Sequence, residues 1–282
     1  MTRIYTWRLA VRSYEGDAWG MVPAAGVLRY FEQVAVAAAS DGGYGAAFHR
    51  EHGSAWIVRR VTLLVHAPAR QGDELEITTW ASHFVKVRGG REYKIRNATT
   101  GEVLYTGITE WVYVSRSNFA PLAIPPHLGK DFDVPGAPLQ NYDPPRVDDH
   151  DKRRIESHLQ TPGTENSPPT FTGERTAEWH EVDSYGHINN AHYADWLDDA
   201  MRAAMVEMGQ SVEAMQQQGL HLRGVYYNLN YRRAALPGDR LRITTRIENA
   251  SDSLYAVRQE ITDAAEAVVF EANSVYGVKR DA

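Results

Sequence analysis

The chain has 282 residues, 43% hydrophobic and 23% charged, with a formal charge of −6 and no cysteine. This is the composition of a soluble globular protein long enough for two modest domains. It excludes disulfides, thiolate catalysis and cysteine metal sites, and the acidic balance argues against general nucleic-acid binding, which needs a basic face. The first residues, Met1 to Arg8, lack the apolar core of a signal peptide, and no stretch approaches a membrane span; no membrane partner and a cytoplasmic location are expected.

In chain order, residues 5–12 predict a strand. A turn at Asp17 follows, then a helix over 23–40, opened by Pro23 in its first turn and closed by Asp41-Gly42-Gly43. Val27, Phe31, Val34, Ala35 and Ala38 form its apolar face. After a short connection at 44–54, strands are predicted at 56–66, 73–82, 85–97 and 102–115. The last two are joined by the turn signal Ala98-Thr99-Thr100-Gly101. Pro121 to Pro169 holds ten of the thirteen prolines and a charged run from Asp148 to Arg154, which is linker composition. Beyond it come a strand at 176–182, a turn at Asp183, a helix running to Met208, and strands at 223–233, 239–249, 254–262 and 266–278.

The second half repeats the first. Asp17-Ala18-Trp19-Gly20-Met21-Val22 matches Asp183-Ser184-Tyr185-Gly186-His187-Ile188, and 183 − 17 is 166. Gly72-Asp73-Glu74-Leu75 matches Gly238-Asp239-Arg240-Leu241 at the same offset of 166. Two segments sharing one offset indicate a tandem duplication. Each copy reads as one long helix followed by a run of antiparallel strands, an α+β arrangement. The expected boundaries are 1–120 for the first domain, 121–170 for the linker and 171–282 for the second domain.

The stretch from Asp183 to Tyr193 concentrates the chemistry. Tyr193, Trp196, Leu197, Ala200, Met201, Ala204 and Met208 recur at helical spacing and predict a buried face, with Asp195, Asp198, Asp199 and Arg202 on the other side. Asn189 or Asn190 caps the helix and Gly209 ends it. A carboxylate (Asp183) and an imidazole (His187) therefore sit in the turn that enters a helix N-terminus, whose unpaired N–H groups suit a developing oxyanion. In copy one the equivalents of His187, Asn189 and Asn190 are Met21, Pro23 and Ala24, so one working site per chain is expected. His180, His187 and His192 lack a recognised ligand spacing, and no metal or cofactor is expected.

The pattern Asp183-x-x-Gly186-His187-Ile188-Asn189-Asn190-x-x-Tyr193 resembles the helix-entry motif of hotdog-fold thioesterases. With Trp56-Ile57-Val58-Arg59-Arg60, Glu110-Trp111-Val112 and Ile124-Pro125, the chain from Arg12 to Val278 resembles the acyl-acyl carrier protein thioesterases of plants and bacteria. The resemblance implies a double hotdog, each half a long central helix wrapped by an antiparallel sheet. The first half would shape the acyl-chain pocket and the second would hydrolyse fatty acyl thioesters. It implies Asp183 and His187 as catalytic residues. Tyr185, Gly186 and Asn189, beside them in the same turn, are the candidate substrate contacts, with Asn189 equally readable as a helix cap. The chain departs from the family in having Tyr185 where an Asn is usual, and Ala234 and Ala235 where plant members carry Glu and Cys. Acyl carrier protein is the expected partner, with acyl-CoA thioester hydrolysis and non-catalytic acyl binding as the competing readings. Arg59, Arg60, Arg232 and Arg233, with Lys86, Arg88 and Arg91, are candidates for a basic landing patch for the acidic carrier. A monomer or a homodimer is compatible with two hotdog copies in one chain.

Overall fold

A computed structural model describes residues 3–132, 168–251 and 254–280. The charged run 148–154 and most of the expected linker lie outside the described residues. The chain divides into two compact units, Met1–Arg146 and Val147–Ala282.

The first unit contains β1 (Tyr5–Ala10), α1 (Ala24–Asp41), α2 (Ala46–Glu51), β2 (Ser54–Val65), β3 (Glu74–Val85), β4 (Arg88–Asn97), β5 (Val103–Ser115) and α3 (Pro126–Asp131). Its antiparallel sheet runs in the order β1-β3-β4-β5-β2. The expected stripe of α1 is buried at Val27, Phe31, Val34, Ala35 and Ala38. Phe31 stacks on Tyr93 of β4 with ring centroids 4.1 Å apart, so the helix lies on the sheet's inner face. Burying a side chain of that size is worth about 1.5–3 kcal/mol. Pro23 is the N-cap rather than the first helical residue.

The second unit contains β6 (Thr170–Thr176), a 3-10 turn (Trp179–Glu181), α4 (Asn190–Glu207), α5 (Val212–Gln217), β7 (Leu220–Tyr231), β8 (Arg240–Ser251), β9 (Leu254–Asp263) and β10 (Val268–Arg280). Its sheet order is β7-β10-β9-β8-β6, the counterpart of the first. The duplication is visible element by element: 190 − 24, 212 − 46, 220 − 54, 240 − 74 and 254 − 88 are all 166. The last pair of strands differs by 165, because the final hairpin is one residue shorter. Each unit is a long helix against a five-stranded antiparallel sheet, the hotdog arrangement.

Several expectations are corrected. The strand expected at 176–182 is Thr170–Thr176, and residues 179–181 form the 3-10 turn. A reciprocal capping box between Glu178 and Glu181 bends the chain there. α3 falls inside the expected linker, and β6 begins at its last residue, Thr170. Three helices of six residues (α2, α3 and α5) are too short to show a hydrophobic period.

Asp198 is the largest departure. Its carboxylate accepts hydrogen bonds from the Tyr276 hydroxyl at 2.7 Å and the Tyr227 hydroxyl at 3.2 Å. Tyr227 reaches it by folding over Gly224, where an added Cβ would come within 1.8 Å of the phenolic oxygen. Burial pushes the Asp198 carboxyl up to about 6, against the opposing pull of the tyrosine donors and Arg202. The folded chain therefore holds an extra proton between about pH 4 and pH 6, and the stability tied to this group falls as pH rises through that window. Thermal denaturation across that range should show a shallower loss in Asp198→Asn than in the wild type; parallel curves would contradict this assignment.

Candidate active site

The turn at Asp183 is built by its own side chain. Asp183 Oδ1 accepts the Tyr185 N–H at 2.8 Å, and Asp183 O accepts the Gly186 N–H at 3.0 Å. The Asp183 N–H donates to His187 O at 2.9 Å, and Val182 bridges Ile188. An aspartate at the start of a turn can replace a backbone acceptor in this way. Gly186 has φ +85°, a region that costs an L-residue roughly 1–2 kcal/mol.

Closing the turn brings the acid and the imidazole together. His187 Nδ1 lies 3.3 Å from Asp183 Oδ2, and the two side chains are 17% and 20% exposed. Hydrogen bonding to the Asp183 carboxylate raises His187 above its ordinary 6.5, against a burial effect that lowers it. Asp183 thus spends one oxygen on the turn and the other on the imidazole. Tyr185 lies nearly parallel to His187, with ring centroids 6.0 Å apart. Asn189 is the N-cap of α4, its side chain accepting the Ala191 N–H at 2.9 Å, while its carbonyl accepts the His192 N–H at 3.1 Å. Two N–H groups of the helix start are therefore taken by Asn189.

The turn is tied to the sheet and to the chain before it. The Ile188 N–H donates to Ala235 O at 3.0 Å, and the Ala235 N–H donates to the Tyr193 hydroxyl oxygen at 3.0 Å. The Tyr231 hydroxyl donates to Asn190 O at 2.9 Å, and the Asn189 N–H to Glu181 O at 2.9 Å. Glu181, 4% exposed, accepts from Trp196 Nε1 at 2.8 Å, Arg175 at 2.6 Å and the Glu178 N–H at 2.8 Å. Burial alone would raise this carboxyl, but the Glu178, Trp196 and Arg175 donors outweigh it and hold it below the ordinary glutamate value. Arg175 also lies over the Trp196 ring at 4.2 Å. The sequence reading missed Glu181 and Arg175; the pairing of Glu178 with a Glu three residues on was the available signal.

Copy one keeps the turn and lacks the imidazole. Asp17 Oδ1 accepts the Trp19 N–H at 2.9 Å and the Met21 N–H at 3.0 Å, and Gly20 has φ +69°. The Val22 N–H donates to Ala69 O, and the Ala69 N–H donates to the Tyr105 hydroxyl oxygen. Ala69 is thus the counterpart of Ala235 in the same backbone frame. Where His187 stands in copy two, copy one buries Met21 at 4% exposure.

The remaining candidates resolve as follows. Ala235 is buried and its backbone is bonded to the turn at Asp183, while Ala234 beside it is exposed. His180 and His192 have ring centroids 6.4 Å apart, and His192 Nδ1 lies 3.3 Å from Asp195 Oδ2. No group of three or more His, Asp or Glu side chains among the described residues is placed to hold a metal. Arg232 pairs with Glu271 and Arg233 with Asp263, so carboxylates offset both charges of that part of the expected patch. Arg91 faces the inner side of its sheet, with Tyr93 and Ile95, and is half-buried there. Among the described residues no helix is long and apolar enough to cross a membrane.

Comparison with known proteins gives consistent matches. Residues 2–132 match the family described as acyl-ACP thioesterase N-terminal domain, and residues 177–278 match the thioesterase-like superfamily. The chain is 22% identical over 215 residues to the chloroplastic acyl-(acyl-carrier-protein) hydrolase FATB2 of Cuphea viscosissima, covering 72% of this chain and 48% of that protein. It thus spans about half the length of the first plant relatives it matches. Over 83 residues it is 32% identical to the long-chain acyl-CoA thioesterase FadM of Escherichia coli, covering 29% of this chain and 62% of that one. The solved 12:0-ACP thioesterase from Umbellularia californica shares the fold with a TM-score of 0.72 and 19% identity, covering 98% of each chain.

Proposed function

Because this chain belongs to the acyl-ACP thioesterase family, we propose that it hydrolyses fatty acyl thioesters on acyl carrier protein, releasing a free fatty acid and the carrier thiol. The observation that carries this reading is the Asp183–His187 pair, 3.3 Å apart, at the entry of a buried helix. Asp183 supplies the carboxylate from which attack on the thioester carbonyl starts. It either takes the proton of an attacking water, or attacks directly to give a mixed anhydride that water then cleaves. A single turnover in ¹⁸O-water distinguishes the two, since direct attack followed by hydrolysis at the Asp183 carbon leaves label in the enzyme. His187 orients Asp183 and, protonated, donates toward the carbonyl or the departing sulfur. With the Ala191 and His192 N–H groups taken by Asn189, the Asn190 N–H is the proposed oxyanion donor of the helix start. Tyr185, Gly186 and Asn189 form the wall of the substrate site around the pair.

On this reading the first unit shapes the acyl-chain pocket and the second carries the chemistry. The protein works in the cytoplasm as a monomer or homodimer, without a cofactor. A second substrate, acyl-CoA, is favoured by the match to FadM. Both carriers present the same pantetheine thioester. Steady-state hydrolysis of a chain-length panel of acyl carrier protein and CoA thioesters tests the proposal. Turnover with higher kcat/KM on the carrier protein supports it, and higher kcat/KM on CoA selects the second reading. Tight binding without turnover would contradict both and leave an acyl-binding protein whose Ala234 and Ala235 have replaced a needed carboxylate and thiol.

A further inference from the structure

Arg91 occupies a position where the fold asks for an apolar residue. On β4 it shares the inner face with Tyr93 and Ile95, both 0% exposed, under the helix that carries Phe31. Its neighbours across the sheet are Ala81 on β3 and Thr109 on β5, both buried. The duplicated chain supplies an internal control. The same node in copy two is Val257, paired with Ile247 and Ser274 and 0% exposed. A hotdog sheet of this design closes with valine there, so folding does not require the arginine.

The guanidinium is poorly compensated. Among the described residues it forms no ion pair; its contacts are Thr79 Oγ1 at a long 3.4 Å and the Phe132 ring at 5.8 Å. Burial lowers its pKa, and Tyr93 is the one group that acts the other way. The Tyr93 hydroxyl, buried on the same face, makes no well-formed hydrogen bond among the described residues, with Thr109 and Trp111 as the polar groups within its reach. Holding a cation partly away from water without a counter-charge is unfavourable. Around the guanidinium stand apolar groups, with Phe132 and Ala81 packed in one cluster with Tyr44 and Leu128. Arg91 itself keeps partial access to solvent.

We propose that Arg91, with Tyr93, anchors a ligand subsite in the first unit that takes the carboxylate at the end of an apolar chain. One guanidinium fork matches one carboxylate in geometry and charge, and the Tyr93 phenol adds a donor. A phosphate would bring −1.5 to −2 charges, as a general matter, to a site holding one cation, and the apolar walls suit a hydrocarbon chain. Such a ligand is either a free fatty acid or an acyl group with a carboxyl at its far end. The choice of a fatty chain rests on the thioesterase reading, whereas the anion site rests on Arg91 and Tyr93 alone.

Calorimetric titration of the full chain with dodecanoate and with dodecanol tests it, in the wild type, Arg91→Val, Tyr93→Phe and Asp183→Asn. Arg91→Val should weaken dodecanoate binding about tenfold or more and leave dodecanol binding nearly unchanged. Its thermal midpoint should be equal or higher, since an apolar residue replaces an unpaired, partly buried charge. Tyr93→Phe should weaken dodecanoate in the same sense without reshaping the core. Asp183→Asn should bind like the wild type, so loss of turnover and loss of this subsite register separately. Relief of inhibition by added dodecanoate in Arg91→Val identifies the free acid as the ligand. A selective loss of hydrolysis of an ω-carboxyacyl thioester identifies the substrate. Unchanged dodecanoate affinity in a folded Arg91→Val, or no binding to the wild type, would overturn the proposal.

Discussion

Asp183→Asn should lower kcat/KM on acyl thioesters by about two to four orders of magnitude, the range assigned to a positioned general base. The substitution suits the question because the turn survives it. An Asn Oδ1 still accepts the Tyr185 N–H, which the Asp183 Oδ1 accepts at 2.8 Å. What is lost is the negative charge and the carboxylate oxygen 3.3 Å from His187 Nδ1. His187 reports that loss independently of activity. Its imidazole is raised chiefly by the bond to Asp183, so its NMR titration should move back down in the variant. A folded variant that keeps its rate would remove Asp183 from the chemistry. One that loses rate with His187 titrating as before would separate the two residues.

Glu181→Ala destabilises the protein by about 3–5 kcal/mol, the cost of breaking a buried ion pair from one side. For a chain of this size that corresponds to a fall in Tm of roughly 10 °C. The truncation leaves the Trp196 indole N–H, the Arg175 guanidinium and the Glu178 N–H without their shared acceptor. Arg175 is 25% exposed and regains some water, which places the effect toward the lower end. Because the Asn189 N–H donates to Glu181 O, the loss also loosens the base of the active turn. Differential scanning calorimetry checks the magnitude. A change below about 1 kcal/mol would mean that the network is solvated and merely decorates the turn.

The repeat was the most legible part of the chain. An offset read from two short segments locates α4, α5, β7, β8 and β9 against their counterparts to the residue. The Asp183 turn was also readable, because an aspartate whose side chain closes its own turn leaves a local signature in Tyr185 and Gly186. What failed depended on residues distant in sequence. Helical period alone put Asp198 toward solvent, yet Tyr227 and Tyr276 arrive from two strands to enclose it. Glu181 reads as part of a strand until Trp196 and Arg175 are seen converging on it. Arg91 reads as a surface charge because a polar residue on the inner face breaks the alternation that marks strands. Only its partner Val257, found at the repeat offset, exposes the substitution.

If the duplicated turn is a hydrolytic site in one copy only, where His187 stands in place of Met21, the two aspartates that close it are unequal in catalysis. The most direct measurement is the rate of thiol release from an acyl carrier protein thioester by Asp17→Asn and Asp183→Asn side by side. Both substitutions preserve the side-chain oxygen that accepts the backbone N–H groups of their turn, and delete one charge. Asp17→Asn should stay within about threefold of the wild type while Asp183→Asn loses at least about a hundredfold. Equal losses in the two variants, or a larger loss from Asp17→Asn, would contradict it.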